Sequence, residues 1–290
     1  MNHSFTKLIT LLFFTFLILG CSKDRIEEDK NSYEDMNDYL DSKKQEEQTF
    51  IINQGGECPI IGKEGTKICG DKAALTPVTD WPYTVKLVEL LNPKEMIYYR
   101  HSNTNAAGFM TSDGEIRLKV FKDDNELAIK SGSALQVELP NSNPLANMKI
   151  YYGSGSGDDV TWNATSSENF ATSTYGYDGL ITSLGWISAA KEAGTSSSTA
   201  TFSFTSSTDE LSNVLTYIYL TNKKSLTQVH DQTSIGLPIG ETATIIMMAI
   251  DKDGDLYSYS NNVTITADTT FDIELSGISD DNLTALLDSL

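Results

Sequence analysis

Histidine, cysteine and proline are scarce in this chain: of 290 residues, 3 are His, 3 are Cys and 7 are Pro. His3, His101 and His230 lie far apart, with neither the close spacing of a zinc-binding helix nor cysteines beside them, which excludes a local zinc site. His101 and His230 read as surface or loop residues. Basic residues are short as well, 21 Lys and Arg against 40 Asp and Glu, a formal net charge of −19. Such a balance argues against nucleic acid as a partner. Nucleotide and hydrolase motifs are missing too: Gly153, Gly155 and Asp158 fail the last position of the dinucleotide fingerprint, no P-loop lysine follows, and Gly155 occupies the centre where a nucleophile elbow needs serine. No catalytic residue is expected, and the chain reads as non-enzymatic.

The chain also lacks an apolar run of membrane-spanning length. Leu8 to Leu19 is broken only by Thr10 and Thr15, and Ser22, Lys23, Asp24 and Arg25 cut it short of the about 20 residues that a spanning helix needs. With Lys7 ahead of it, the run reads as a signal peptide over residues 1–20. Ile18-Leu19-Gly20-Cys21 then reads as a bacterial lipobox, with Cys21 as the acylated residue. A diacylglyceryl group with a further acyl chain such as palmitate gives durable membrane anchoring, which one chain does not. Loss of Lys7 with the leader takes the formal charge from −19 to about −20. Once Cys21 is assigned to lipid, Cys58 and Cys69 are an even pair in a disulfide-permissive compartment and are expected to bond. A hairpin centred on Gly62 to Gly65 would set them directly opposite each other.

Residues 21–48 are expected to form the lipidated start and an acidic tether. Lys23 to Gln48 holds ten acidic and five basic residues with no Pro or Gly, and an extended chain of that length reaches roughly 80 Å. Tyr33, Met36 and Leu40 recur at helical spacing, so a short docking helix is the other reading; the tether is favoured because so few apolar residues cannot offset the cost of ordering. Beyond Phe50 the apolar period becomes two. Ile116, Leu118 and Val120, then Leu135, Val137 and Leu139, then Met148, Ile150 and Tyr152 alternate with other residues, as half-buried strands do. Ser112-Asp113-Gly114, Lys122 to Asn125 and Pro140 to Pro144 read as the turns between them. A second set of strands is expected at Thr201 to Thr205, Val214 to Leu220, Thr244 to Asp251, Leu256 to Ser260 and Val263 to Thr266, and a terminal helix capped by Ser279 with Leu283, Leu286, Leu287 and Leu290 on one face. The expected fold is all-β, two tandem β-sandwich domains over residues 49–164 and 165–290, with a short C-terminal helix.

Gly65-Thr66-Lys67-Ile68, Val85 to Leu91, Gly114 to Val120, Gly132 to Pro140 and Asn147 to Gly153, followed by Trp162 and Leu184-Gly185-Trp186-Ile187, resemble in order and spacing a large family of predicted surface lipoproteins of Bacteroidota, over about residues 50 to 290. Ser22-Lys23-Asp24 before an acidic stretch is similar to the surface-export signal of lipoproteins in that phylum. The resemblance implies a ZU5-like sandwich followed by an immunoglobulin-like or carboxypeptidase-regulatory-like one whose "GWIN" strand is residues 184–187, and it implies no activity. Ser188-Ala189-Ala190 departs from that pattern, as does the cysteine pair.

Asp251, Asp253 and Asp255 alternate around Gly254, which suits oxygen ligation of calcium, the one cofactor the sequence suggests. Leu256 and Asn262 break the EF-hand pattern, and Asp-Gly between apolar strands is also the strongest hairpin signal. Asp158 and Asp159 read as calcium ligands or as a solvated linker, the linker being favoured. Trp81, Tyr98, Tyr99, Tyr175 and Tyr177 would stack on sugars or hold a protein partner if exposed, and are core residues otherwise. The resulting expectation is an outer-membrane lipoprotein facing outward, serving as a binding or assembly subunit with an envelope protein partner; the alternative is a glycan-binding lipoprotein that captures polysaccharide.

Overall fold

The computed structural model describes residues 33–55, 58–155, 160–194 and 198–290. In chain order the main elements are helix α1 (Met36–Lys43), strands β1 (Gln48–Ile52), β2 (Ile60–Ile61), β3 (Lys67–Cys69) and β4 (Tyr83–Leu90), helix α2 (Pro93–Tyr98), then β5 (Gly108–Lys122), β6 (Leu135–Pro140), β7 (Lys149–Ser154), β8 (Thr161–Asn169), β9 (Gly176–Ile181) and β10 (Gly185–Glu192). The remainder comprises β11 (Phe202–Thr205), β12 (Leu215–Leu220), β13 (Ser225–Val229), β14 (Thr242–Ile250), β15 (Leu256–Thr264), β16 (Thr269–Asp272) and helix α3 (Asp280–Asp288). The fold is all-β with three short α-helices among the described residues.

Two sheets make the first lobe. One runs β1-β4-β5-β10-β7-β8; the other joins β9, β6, β3 and β2, with Ala171–Thr172 on the far edge of β9. Alternation drives this packing: Val85 and Leu87 on β4, Ile116, Leu118 and Val120 on β5, and Val137 and Leu139 on β6 all enter one apolar core. In the second lobe β13-β12-β14-β15 form a sheet against which the parallel β11–β16 pair packs, with Phe202, Phe204, Ile245 and Met247 inside.

The domain boundary expected at residue 164 is corrected. β9 pairs with β6 over Leu135 to Pro140, and β10 lies between β5 and β7, so the first lobe extends to Glu192. Serine and threonine enrichment suggests a new domain, but Ile187 and Ala189 are buried in the first lobe's core, and Trp186 and Ala190 on the other face of the same strand in the layer shared with the second lobe. Residues 33–290 form a single compact unit.

The tether is corrected as well. Asp35 caps α1 by accepting from Asn37 and Asp38 N–H at 2.8 and 2.9 Å, and Met36, Tyr39 and Leu40 are buried. Judged alone, those three apolar residues are too few to order the segment. They are sufficient because Tyr98 and Tyr99 of the first lobe, Tyr217 of the second and Leu283 and Leu287 of α3 share the same cluster. Polar contacts strap the segment down: Tyr39 donates to Asp280 at 2.8 Å, Lys43 pairs with Asp280 at 2.5 Å, Arg100 with Asp41 at 2.9 Å, and Glu47 with both Lys86 and Arg117 at 2.9 and 3.0 Å.

Candidate functional site

The first lobe is open at one side. β1 ends one sheet and β2 ends the other, and no described strand pairs with their outer edges. Between them lies an apolar pocket of about 60 Å³ lined by Ile52, Ile60, Ile68, Trp81, Tyr83 and Leu118, among others. Trp81 stacks on Tyr83 with ring centroids 5.1 Å apart. Native edge strands are normally protected by charge, proline, bulges or brevity. β1 is Gln-Thr-Phe-Ile-Ile, with neither charge nor proline, and Ile51 is 67% exposed on its outer face. By contrast the opposite edge of the second sheet is the two-residue piece Ala171–Thr172, and the β7–β8 pairing at the far edge of the first carries a register shift.

The hairpin bordering this pocket is built around a buried carboxylate. Glu89 on β4 accepts from the Thr66 and Glu64 N–H groups at 2.8 and 3.0 Å and from Gln48 Nε2 at 2.7 Å. A Cβ at Gly62 would fall 2.6 Å from Glu89 Oε2, so glycine is required there. Cys58 and Cys69 are disulfide-bonded, Cα–Cα 5.1 Å. The expected register is off by one: Ile60 faces Ile68 and Ile61 faces Lys67, so the two cysteines are not directly opposite. The reason is the turn, in which Gly62 N–H donates to Thr66 O at 2.7 Å, giving a longer loop than Gly62 to Gly65 alone.

A second site lies between the lobes. Ser112-Asp113-Gly114, expected as a turn, is instead a bulge inside the long strand β5: Ser188 pairs with Glu115 but Ala190 pairs with Ser112, which leaves one extra residue on β5. The irregularity turns two carboxylates inward. Asp113 accepts from the Tyr177 hydroxyl and from Lys224 Nζ at 2.5 Å; burial and the Asp113 carboxylate hold the Tyr177 hydroxyl far above its usual pKa. Glu115 lies 2.6 Å from His101 Nδ1 and accepts from Asn103 Nδ2 at 2.8 Å. Asn103 bridges the lobes, its N–H donating to Leu226 O at 2.6 Å and its Oδ1 accepting from Leu226 N–H at 3.0 Å. Lys224 sits at φ 46, ψ 51, left-handed backbone that costs a residue with a Cβ about 1–2 kcal/mol. Beside these groups is a cleft of about 180 Å³ lined from both lobes, by Asn92, Met96, Asp113 and Asn141 on one side and Tyr219 and Lys224 on the other.

The other expected residues separate clearly. Cys21, Asp158 and Asp159 lie outside the described residues. The calcium expectation is corrected: Asp251 Oδ1 accepts from the Asp253 and Asp255 N–H groups, both at 2.9 Å, and among the described residues no three His, Cys, Asp or Glu converge as a metal site. Asp251 Oδ1 thus serves as the acceptor that holds the turn, and Ile250 pairs with Leu256 across an ordinary hairpin. His101 is corrected from surface to core, 1% exposed, with Trp186, Trp162 and Tyr99 around its ring; its Nε2 has no hydrogen-bond partner. His230 is exposed, as expected. Tyr98, Tyr99 and Tyr177 are buried core residues, and the half-buried Tyr175 ring is covered by Lys67 Nζ at 3.4 Å, so no sugar-stacking platform forms from them.

Sequence reasoning missed Glu89, Asp113, Glu115 and Lys224. Asp113-Gly114 carried a signal for the bulge, since glycine inside an alternating strand marks one; Gly114 stands at φ +134 against Leu91. No helix among the described residues is long and apolar enough to cross a membrane. Comparison with protein-family models, with curated proteins and with solved structures finds no match to this chain.

Proposed function

We propose that this chain is a non-enzymatic, lipid-anchored subunit that binds or assembles with a cell-envelope protein at the outer-membrane surface. The observation that carries the reading is the outer edge of β1, with which no strand among the described residues pairs, and the exposed Ile51 it carries beside an apolar pocket. An extended segment of a partner that adds to such an edge gains main-chain hydrogen bonds, and its alternate side chains gain a pocket. The lipobox-like Ile18 to Cys21 and the resemblance to surface lipoproteins of Bacteroidota supply the location.

Gentle purification of the tagged chain from its own membrane tests the reading. The wild-type chain brings down a stoichiometric protein partner, and Ile51→Lys, which places a charge on the edge, loses it while keeping its fold. Recovery of the wild-type chain alone contradicts the proposal. The anchor has a separate test: Cys21→Ser moves the chain from the membrane to the soluble fraction, and retention in the membrane argues against lipidation.

A further inference from the structure

We propose that the cleft between the lobes is a binding site for a small, neutral, hydroxyl-rich ligand the size of one sugar ring. The cleft lies at a junction of two lobes, where ligand pockets concentrate. Its charged groups arrive through two backbone irregularities, the β5 bulge that aims Asp113 and the left-handed residue that aims Lys224. The left-handed Lys224 closes the four-residue loop of the β12–β13 hairpin, while the β5 bulge is a departure of the kind over-represented beside functional sites.

The lining decides the ligand class. Asp113 and Lys224 neutralise each other at 2.5 Å, so the cleft selects neither an anion nor a cation. Asn92 and Asn141 use their Oδ1 atoms to accept from the Glu95 and Asn143 N–H groups at 3.0 and 2.8 Å, which leaves their amide NH₂ groups to donate. The Asp113 carboxylate retains lone pairs beyond the two bonds it accepts. A hydroxyl is the group that can give a proton to a carboxylate and take one from an amide at once. Met96 and Tyr219 supply an apolar wall for the carbon face of a ring. The cleft, about 180 Å³, is smaller than the roughly 300–1,000 Å³ of pockets that enclose larger ligands, which suits a ligand of one ring. The inference is independent of partner docking at β1, because the two sites share no lining residue.

Ligand-observed NMR on the purified full chain tests it, with glucose, galactose, mannose and N-acetylglucosamine as neutral probes and glucuronate and glucosamine as charged ones. Asn92→Asp and Asn141→Asp keep the Oδ1 acceptors that cap α2 and the 141–143 turn but replace the amide donors, so both variants fold. At least one neutral probe binds with a Kd in the millimolar range, more tightly than either charged probe, and each variant weakens it about tenfold or more, the loss expected for one good hydrogen bond. The inference is overturned if no neutral probe binds the folded wild-type chain at about 50 mM, well above a millimolar Kd. It is equally overturned if a charged probe binds better, or if both variants bind as the wild type does.

Discussion

Inside the first lobe, Leu87, Ile116, Leu118, Val137 and Ile187 meet in an apolar core, whereas the layer between the lobes places His101, Asn103, Asp113 and Glu115 among tyrosine, tryptophan and methionine side chains. The first arrangement stabilises without direction, since aliphatic burial scales with area. The second is directional: each buried polar atom has few acceptable partners, so one orientation of the lobes satisfies Asn103 against Leu226 and Lys224 against Asp113. The difference teaches that the lobes are held by apolar packing and set in register by hydrogen bonds.

Substitution separates the two roles. Glu115→Ala leaves His101 and Asn103 buried without their shared acceptor, and its expected cost is about 3–5 kcal/mol. Denaturant unfolding measures that loss, and small-angle scattering reports a change in the lobe arrangement with it. Leu118→Ala, in the apolar core, costs about 2–5 kcal/mol and leaves the scattering profile of the folded chain unchanged. If Leu118→Ala moves the lobes and Glu115→Ala does not, the division of labour is wrong. Replacing both Cys58 and Cys69 by serine costs up to about 3 kcal/mol, seen as a lower Tm, with faster hydrogen exchange confined to the hairpin beside the apolar pocket.

The smallest effect is expected at α1. Partial burial raises the Asp280 carboxyl, but the Lys43 ammonium and the Tyr39 hydroxyl outweigh it and hold the group below its ordinary 3.8. A carboxyl depressed in the folded chain contributes fully above its unfolded value, and the contribution is lost as pH falls through the folded one. Tm therefore declines below about pH 4, and Asp280→Asn flattens that part of the profile. An identical acid limb in the variant assigns the decline to other carboxylates.

Period-two patterning made much of the fold legible in the sequence: the Ile116–Val120 part of β5, β6 and β7, the β14–β15 hairpin and the helix capped by Ser279 stand where alternation and capping place them, Ser279 accepting from Asn282 N–H at 3.3 Å. Legibility ended where a segment's partner is remote. α1 looked too polar to order because the tyrosines and leucines that complete its face come from elsewhere in the chain. The β5 bulge looked like a turn because Asp-Gly has one local meaning and a different one opposite Ala189. Asn92-Pro93, a cap followed by proline at the first helical position, does mark α2 locally. His101, the only buried histidine among the described residues, has no local sequence mark, since Glu115 and Trp186 are brought to it by strand pairing.

The central claim is that β1 is a docking edge, and hydrogen exchange over Gln48–Ile52 tests it most directly, compared between the chain alone and the chain in the assembly recovered from its membrane. The account predicts slower exchange at β1 amides in the assembly, with the interlobe layer unchanged. Exchange at β1 equal in both samples, with protection arising on another surface, contradicts it.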